Sequence, residues 1–569
     1  MPAIADALRP ASPPVVPRVS RSRDATRPLA VAAGLLAVVV LLPLAAIAWN
    51  AATPRVEVWM HLVRTQLGGL AFNTVALLLG VGALVAIIGV GLAWLVATRN
   101  FPGRGFFEWA LVLPLAMPAY VVGFVLLGMF DYAGPVARLW QAIAGADARL
   151  PDVRSYGGVV IVMALVYYPY VYLLTRTAFA ERSASLIEAA RGLGLQPRQT
   201  FLHLAVPIAR PAIAAGLALA LMETLADFGT VSLFGYQTFT VAVYRVWFGM
   251  FDRVAAGQLA TVLLLFAAIV LGLERWARRS ARFSLPSGGA APTRATLGRS
   301  AGWMATGVCS SVLGIAFVLP TSVLVVWSAR ALADGATIQP LWRQAANTAL
   351  VGVGAMAVCL AAALLLAYAA RLVRSRVIAR LGNVALLGYA IPGTVVAVGV
   401  IGVLAGVDRA VAGAADLLGV APPPLLATSA IGLLFAYVVR FLAVSYLPIQ
   451  AGLARVGSAL DESARSLGAS PVRLLTTVHA PLLRGALITA GVLVLVDVMK
   501  ELPATMLLRP FGFDTLAVGI WQATTESLWL QAAPPALAIV IVGTVLVLLL
   551  TRGFGRTMLG PVARAGAAR

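Results

Sequence analysis

The chain has 569 residues, of which 61% are hydrophobic and only 11% carry a charge. This balance excludes a soluble globular protein and predicts a polytopic membrane protein. The formal net charge of +21 would suit a nucleic-acid partner, but the arginines cluster at the ends of apolar runs. That distribution follows the positive-inside rule, so we expect a lipid bilayer as the partner and no nucleic acid.

The apolar runs divide the chain into two halves of six. Residues 1–27 are rich in Arg and Pro and predict a disordered basic tail, after which the run 28–49 is long enough to cross a bilayer. Five more runs complete a first half, 28–279, and six form a second half, 301–552. The later runs lie near 70–97, 107–130, 156–178, 205–226, 258–276, 302–327, 347–370, 382–406, 424–446, 483–502 and 533–551.

The halves are joined by a polar linker rich in Gly and Pro, 280–300, and the chain closes on a basic tail, 553–569. Arginine-rich loops recur on the side of the N-terminal tail, which predicts that both termini are cytoplasmic. The predicted fold class is an all-α polytopic membrane protein. It has about twelve transmembrane helices in two homologous six-helix halves, arranged as a parallel repeat.

One short stretch occurs in both halves at a fixed separation of 274 positions. Its residues are Glu188, Ala189, Gly194 and Pro207 in the first copy and Glu462, Ala464, Gly468 and Pro481 in the second. We call residues 188–207 and 462–481 the first and second signature loops. Asn73 and Asn347, like Pro118 and Pro392, keep the same separation, which indicates a duplicated domain. Glycine at this point predicts a short helix that ends in the left-handed conformation.

The spacing resembles the coupling-loop signature of binding-protein-dependent ABC importer permeases, although Ser463 replaces the first alanine in the second copy. The resemblance implies a cytoplasmic coupling helix in each half, docked on one of two copies of an ABC ATPase subunit. It also implies a periplasmic substrate-binding protein and a location in the bacterial inner membrane.

The chain carries only one lysine, Lys500, so it cannot contain the phosphate-binding loop G-x-x-x-x-G-K-[ST]. We therefore expect a permease subunit that is not itself an enzyme. ATP and magnesium would be bound by the partner ATPase, with no cofactor in this chain. Cys309 and Cys359 lie inside apolar runs and are interpreted as packing residues.

Each half places a pair of acids after its signature loop, Glu223 with Asp227 and Asp497 with Glu501. The i, i+4 spacing predicts that both acids of a pair lie on one helix face. Because charges at membrane depth are costly, these four acids and Lys500 are expected to line or gate a translocation path. Carboxylates also suit a hard cation, so all four acids are candidate metal ligands. The alternative is structural, with Lys500 paired to an acid and the acids capping the loops that follow.

The segments Glu-Thr-Leu-Ala-Asp-Phe-Gly-Thr-Val (223–231) and Lys-Glu-Leu-Pro-Ala-Thr (500–505) resemble the ferric-iron importer permeases in their fused two-half form. The resemblance implies import of ferric iron by alternating access. Fused permeases for thiamine and 2-aminoethylphosphonate share this architecture and stay open as alternatives. The tyrosines between 156 and 172 are interpreted as packing or interface residues in preference to iron ligands.

Two other classes of protein stay as rivals. An ion-driven secondary transporter would use the four acids as a relay, but it leaves the paired signature loops unexplained. An intramembrane hydrolase would need one active site, whereas the acids occur at two symmetric places.

Overall fold

The structure, a computed structural model, describes most of the chain. The described residues are 23–52, 56–145, 152–181, 190, 192, 194–279, 294–335, 339–373, 382, 386–421 and 425–558. Most of the predicted N-terminal tail, residues 280–293 of the predicted linker and residues 559–569 lie outside them. The first described helix begins at Arg23, within the predicted tail, and the last one runs to Met558.

In the first half, the described helices follow the apolar runs and are joined by shorter segments. They are α1 (Arg23–Ala52), α2 (Val56–Leu62), α3 (Gly68–Thr98), α4 (Arg104–Ala110), α5 (Ala119–Phe130), α6 (Pro135–Ala144), α7 (Tyr156–Glu181), α8 (Pro197–Gln199), α9 (Val206–Ala226), α10 (Gly229–Leu233), α11 (Phe239–Gly249) and α12 (Arg253–Arg279). A two-residue strand β1 (Arg99–Asn100) pairs in parallel with β2 (Ala295–Thr296), just before the second half.

The second half repeats this order. Its described helices are α13 (Arg299–Leu313), α14 (Leu319–Ala333), α15 (Gln339–Val373), α16 (Gly393–Leu418), α17 (Ala430–Arg455), α18 (Ser458–Ser466), α19 (Pro471–Leu474), α20 (Ala480–Met499), α21 (Pro503–Leu508), α22 (Leu516–Thr525) and α23 (Trp529–Met558). Single 3₁₀ turns cover Leu113–Ala116, Leu386–Ala390 and Leu426–Thr428, and π turns cover Val63–Leu67, Thr200–Ala205, Gly314–Val318 and Leu475–His479.

Within the described residues, twelve helical segments are long and apolar enough to span a membrane, which confirms the predicted fold class. The third span of each half begins later than predicted. Expected near 107 and 382, it starts at Ala119 and at Gly393. Pro118 and Pro392 have extended backbone immediately before these helices. A proline lacks the N–H of a helix interior and suits only the first turn, so each span begins after it.

The two halves interlock instead of packing as separate bodies. Helix α1 of the first half packs against α16 of the second, and α14 of the second half packs against α5 of the first. Both main hydrophobic clusters of the described residues therefore contain side chains from both halves. Burying apolar surface across the halves stabilises their association as well as each fold.

A widened π turn precedes the proline of each signature loop, over Thr200–Ala205 before Pro207 and over Leu475–His479 before Pro481. A proline inside a helix removes one backbone hydrogen bond and crowds the carbonyl four residues earlier. A local π turn accommodates that strain without ending the helix. The repeat is therefore retained in backbone geometry as well as in sequence.

Candidate functional site

The second signature loop has the helix end that the sequence predicts. Helix α18 ends at Ser466, and Gly468 adopts a left-handed φ of +79°. The N–H of Gly468 bonds to the carbonyl of Arg465, and the N–H of Ala469 bonds to that of Ala464. These bonds satisfy carbonyls that the helix end leaves without partners.

The first signature loop has the same turn in its described part. Gly194 has φ +78°, and the N–H of Leu195 bonds to the carbonyl of Ala190 at 3.1 Å, as Ala469 bonds to Ala464 in the second half. Glu188 and Ala189 lie outside the described residues. The glycine-closed turn is thus present at both places.

The second loop presents an apolar tip to solvent. Leu467 is 88% exposed and Val472 is 71% exposed, next to the exposed acid Glu462. Pro207 and Pro481, at the far ends of the two loops, are also exposed. The loop therefore carries both exposed apolar side chains and an exposed carboxylate, and either kind can contact a protein partner.

A buried ion network holds the second loop. Arg371 donates from Nε to Asp461 Oδ2 at 2.7 Å and from Nη2 to Asp461 Oδ1 at 3.0 Å, and it also donates to the carbonyls of Leu453 and Val456. His479 Nε2 lies 2.8 Å from Asp461 Oδ1. Partial burial by itself raises the pKa of Asp461, but the hydrogen bonds from Arg371 and His479 hold that pKa below its ordinary value.

A chamber of about 550 Å³, some of it open to solvent, lies between the halves. The charged side chains that line it come from both halves. They are Glu223 and Asp227 from the first half and Arg440, Lys500 and Glu501 from the second. The structure therefore brings together four of the five residues that the sequence predicts for a translocation path. Asp497 is not among the lining residues.

The predicted shared helix face of each acid pair is wrong. Helix α9 ends at Ala226 and α20 ends at Met499, so Asp227 and Glu501 lie just beyond the helices that carry Glu223 and Asp497. Each second acid instead caps the short helix that follows. Asp227 accepts hydrogen bonds from the N–H groups of Thr230 and Val231, and Glu501 Oε1 accepts one from the N–H of Ala504 at 3.0 Å. Carboxylates are favourable at these positions because helix N-terminal N–H groups lack partners.

The other two acids also have partners. Lys500 Nζ lies 3.2 Å from Asp497 Oδ1, and the Tyr389 hydroxyl donates to Glu223 Oε1 at 3.3 Å. Lys500 thus pairs with Asp497, while Asp227 and Glu501 cap the short helices that follow them; these are the contacts that the structural alternative expects. In the described part of the chain, no three side chains of His, Cys, Asp or Glu converge as a metal site.

Arg440 is a central residue that the sequence analysis missed. Its Nη1 lies 3.4 Å from Glu501 Oε1, and both side chains are almost fully buried, at 7% and 5% exposure. Gly393 allows this pair to form, since a Cβ there would lie 2.2 Å from Arg440 Nη1 and 2.4 Å from Glu501 Oε1. The signal was present in the sequence, because an arginine in the middle of a span marks a functional position. Its first-half counterpart, 274 positions earlier, is Val166.

Four of the five tyrosines of α7 divide into two groups, while the fifth, Tyr156, donates its hydroxyl to the carbonyl of Ala76. Tyr168 and Tyr172 are packing residues, as interpreted, and donate to the carbonyls of Leu111 and Glu108. Tyr167 and Tyr170 face the chamber instead, together with Tyr120 of α5. Two polar atoms of chamber residues, Tyr120 Oη and Arg440 Nε, are buried without a hydrogen-bond partner among the described residues.

Comparison with known proteins decides the family. The profile of "Binding-protein-dependent transport system inner membrane component" matches residues 87–282. The Fe(3+)-transport system permease protein FbpB 2 of Haemophilus influenzae is 26% identical over 498 residues, covering 86% of this chain and 91% of that protein. The putative molybdenum transport system permease YvgM of Bacillus subtilis is 30% identical over 169 residues, 29% of this chain and 73% of that protein. The chain belongs to the binding-protein-dependent transport permeases.

Membership in this permease family makes the chain a multi-pass inner-membrane component of a transport system that works with a substrate-binding protein. The sulfate transport system permease CysT of Escherichia coli is a further relative, 28% identical over 32% of this chain and 67% of that protein. The relatives of single-half length match about a third of this permease, whereas the match to FbpB 2 extends over most of it, in accord with two fused halves.

Proposed function

We propose that this permease imports ferric iron, taking it from a periplasmic binding protein and releasing it into the cytoplasm by ATP-driven alternating access. The observation that carries the proposal is the match to FbpB 2, a permease whose name specifies Fe(3+), over 86% of the chain. A match over 86% of the chain extends into both halves.

The two signature loops would couple this transport to ATP. Each would dock on one of two copies of a cytoplasmic ATPase subunit, which binds ATP and magnesium. The exposed tip around Glu462 and Leu467 offers an apolar and acidic surface to that partner. Closure of the ATPase dimer would push the loops and, through the rigid helices α9 and α20, move the walls of the chamber. Both termini would then be cytoplasmic.

A second candidate substrate class is a small oxyanion. The sulfate and molybdenum permeases among the relatives motivate it. So do the chamber donors without partners, Arg440 Nε and Tyr120 Oη, because an anion would supply the acceptors that these two atoms lack.

The deciding experiment is uptake into proteoliposomes that contain this permease with its co-purified ATPase and binding protein. Labelled ferric ion would be compared with labelled sulfate, molybdate, thiamine and 2-aminoethylphosphonate. Iron uptake that requires both ATP and the binding protein is the expected result. If only another compound were taken up, the substrate assignment would change and the permease assignment would stand. Uptake without the ATPase would contradict the coupling mechanism.

A further inference from the structure

Three arginines and one glutamate meet at one end of the first half, away from the chamber. Arg104 Nη2 lies 3.0 Å from Glu108 Oε2, and Arg176 Nη1 donates to Glu108 Oε1. Arg294, next to strand β2, lies close enough for its charge to interact with all three of these residues. Three guanidinium groups and one carboxylate give these four side chains a combined charge of +2.

The guanidinium groups keep unused donors. Arg176 Nε and Arg294 Nε are buried and have no hydrogen-bond partner among the described residues. Burial lowers the pKa of Arg294, and the neighbouring charges of Arg104 and Arg176 lower it further against the opposing effect of Glu108. Unpartnered buried donors in an excess of positive charge form an environment that an anion would stabilise.

The backbone fixes this cluster in place. Strand β2 begins at Ala295 and pairs with β1, so Arg294 is held near the short turn that joins β1 to α4, whose first residue is Arg104. The N–H of Leu297 bonds to the carbonyl of Asn100, and the Thr306 hydroxyl donates to the carbonyl of Pro102. The segment that leads into the second half is therefore docked on the first half at the cluster.

The three arginines of the cluster lie close to the ends of three candidate membrane spans. Arg104 follows the span that ends at Thr98, Arg176 is four residues before the end of the span Tyr156–Ala180, and Arg294 precedes the span that begins at Arg299. On α4 beside Arg104, Phe106 is 49% exposed and Trp109 is 37% exposed. Exposed aromatic and basic side chains at a span end are typical of the headgroup region.

We propose that Arg104, Arg176 and Arg294 form a binding site for a phosphate group, presented by the headgroup of an anionic phospholipid or by free phosphate. The planar fork of each guanidinium matches phosphate oxygens in pairs. Glu108 bonds to Arg104 and Arg176 through its two carboxylate oxygens and so holds these two guanidinium groups near each other. The second half does not repeat these residues in register, since the positions 274 after Arg104, Glu108 and Arg176 hold Ile378, Gly382 and Gln450. A bound phosphate would fasten the connection between the halves to the membrane surface.

The test measures binding to the purified full-length permease by native mass spectrometry and by thermal shift. The probes are phosphatidylglycerol, phosphatidylethanolamine and inorganic phosphate. The variant Arg294→Gln removes one donor fork, and Arg299→Gln removes an equal charge from an exposed position a few residues away. Arg294→Lys keeps the charge without the fork.

We expect phosphatidylglycerol to bind more tightly than phosphatidylethanolamine, with about tenfold weaker binding in Arg294→Gln. Arg299→Gln should bind like the wild type, and Arg294→Lys should fall between them. If inorganic phosphate instead raises the melting temperature of the wild type but not that of Arg294→Gln, the site takes free phosphate. Equal binding of both lipids with no response to phosphate, or equal affinities in Arg294→Gln and Arg299→Gln, would overturn the proposal.

Discussion

Arg371 and Asp461 form a bidentate ion pair, with Nε 2.7 Å from Oδ2 and Nη2 3.0 Å from Oδ1. The pair connects α18 to the end of helix α15. His479 adds a contact to the same carboxylate from the π turn before α20. The residues 274 positions earlier than Arg371, Asp461 and His479 are Ala97, Ile187 and Ala205, so the first half lacks the charged side chains that build this network.

Replacing Asp461 by Asn should loosen the second loop. Removing one partner of a buried ion pair leaves Arg371 and His479 without their carboxylate, and we expect a loss of roughly 3 kcal/mol in local stability. The measurement is hydrogen exchange across α18 together with ATP-driven uptake. The control is Asp334→Asn, which removes an exposed carboxylate. Unchanged exchange in α18 would show that the network does not hold the loop.

The same pair predicts an acid-sensitive contribution to stability. Because the folded-state pKa of Asp461 is held below its ordinary value, its stabilisation is present in full above that ordinary value, about 4, and is lost as the pH falls through the lower folded value. The melting temperature of wild type minus that of Asp461→Asn should therefore be constant near neutral pH and shrink below about pH 4. A difference that grows on acidification would contradict the assignment.

Gly468 should tolerate Asn but not Val. Its φ of +79° is strained for a residue with a Cβ by roughly 1 kcal/mol or more, although no atom lies within 4 Å of the Cβ position. Asn adopts this conformation far more readily than a β-branched residue. Gly468→Val should reduce ATP-coupled uptake and Gly468→Asn should largely keep it. Equal uptake by the two variants would mean that the left-handed turn is unimportant for coupling.

Gly393→Ala should separate Arg440 from Glu501, because the new methyl group would collide with both side-chain ends. Overpacking of this kind costs roughly 1–3 kcal/mol. Gly406→Ala, on the same helix α16 with nothing within 4 Å of its Cβ position, is the matched control. Melting temperature and uptake should fall for Gly393→Ala only. If Gly406→Ala causes a loss of similar size, the effect comes from replacing any glycine of helix α16 and not from the Arg440–Glu501 pair.

A double-mutant cycle on Arg440 and Glu501 should show strong coupling. Each single change, Arg440→Leu or Glu501→Leu, leaves a buried charge without its partner, at a cost of roughly 3–5 kcal/mol. The double variant removes both charges and should be more stable than the less stable single variant. The melting temperatures of the four proteins supply the cycle. If the losses in melting temperature are additive, the two charges act independently. Uptake by the double variant separately reports whether transport needs the charges.

Local sequence patterns predicted most of the fold. Run length predicted the twelve spans, and glycine chemistry predicted the left-handed turns at Gly194 and Gly468. The late start of the third spans was missed because residues before Pro118 and Pro392 are as apolar as a helix interior. The i, i+4 rule failed for the acids because it presumes a continuous helix, whereas α9 and α20 end before Asp227 and Glu501.

The sequence by itself determined the duplicated membrane architecture and its two glycine-closed loops, because hydrophobic periodicity, proline and glycine act over a few residues. Only the tertiary structure decided the chamber. Glu223 meets Tyr389 across 166 positions, and Arg440 meets Glu501 across 61. Such contacts depend on how interlocked helices from both halves pack, and no local pattern encodes them. The partner of each buried charge was therefore fixed by packing, even where the charge itself was visible in the sequence.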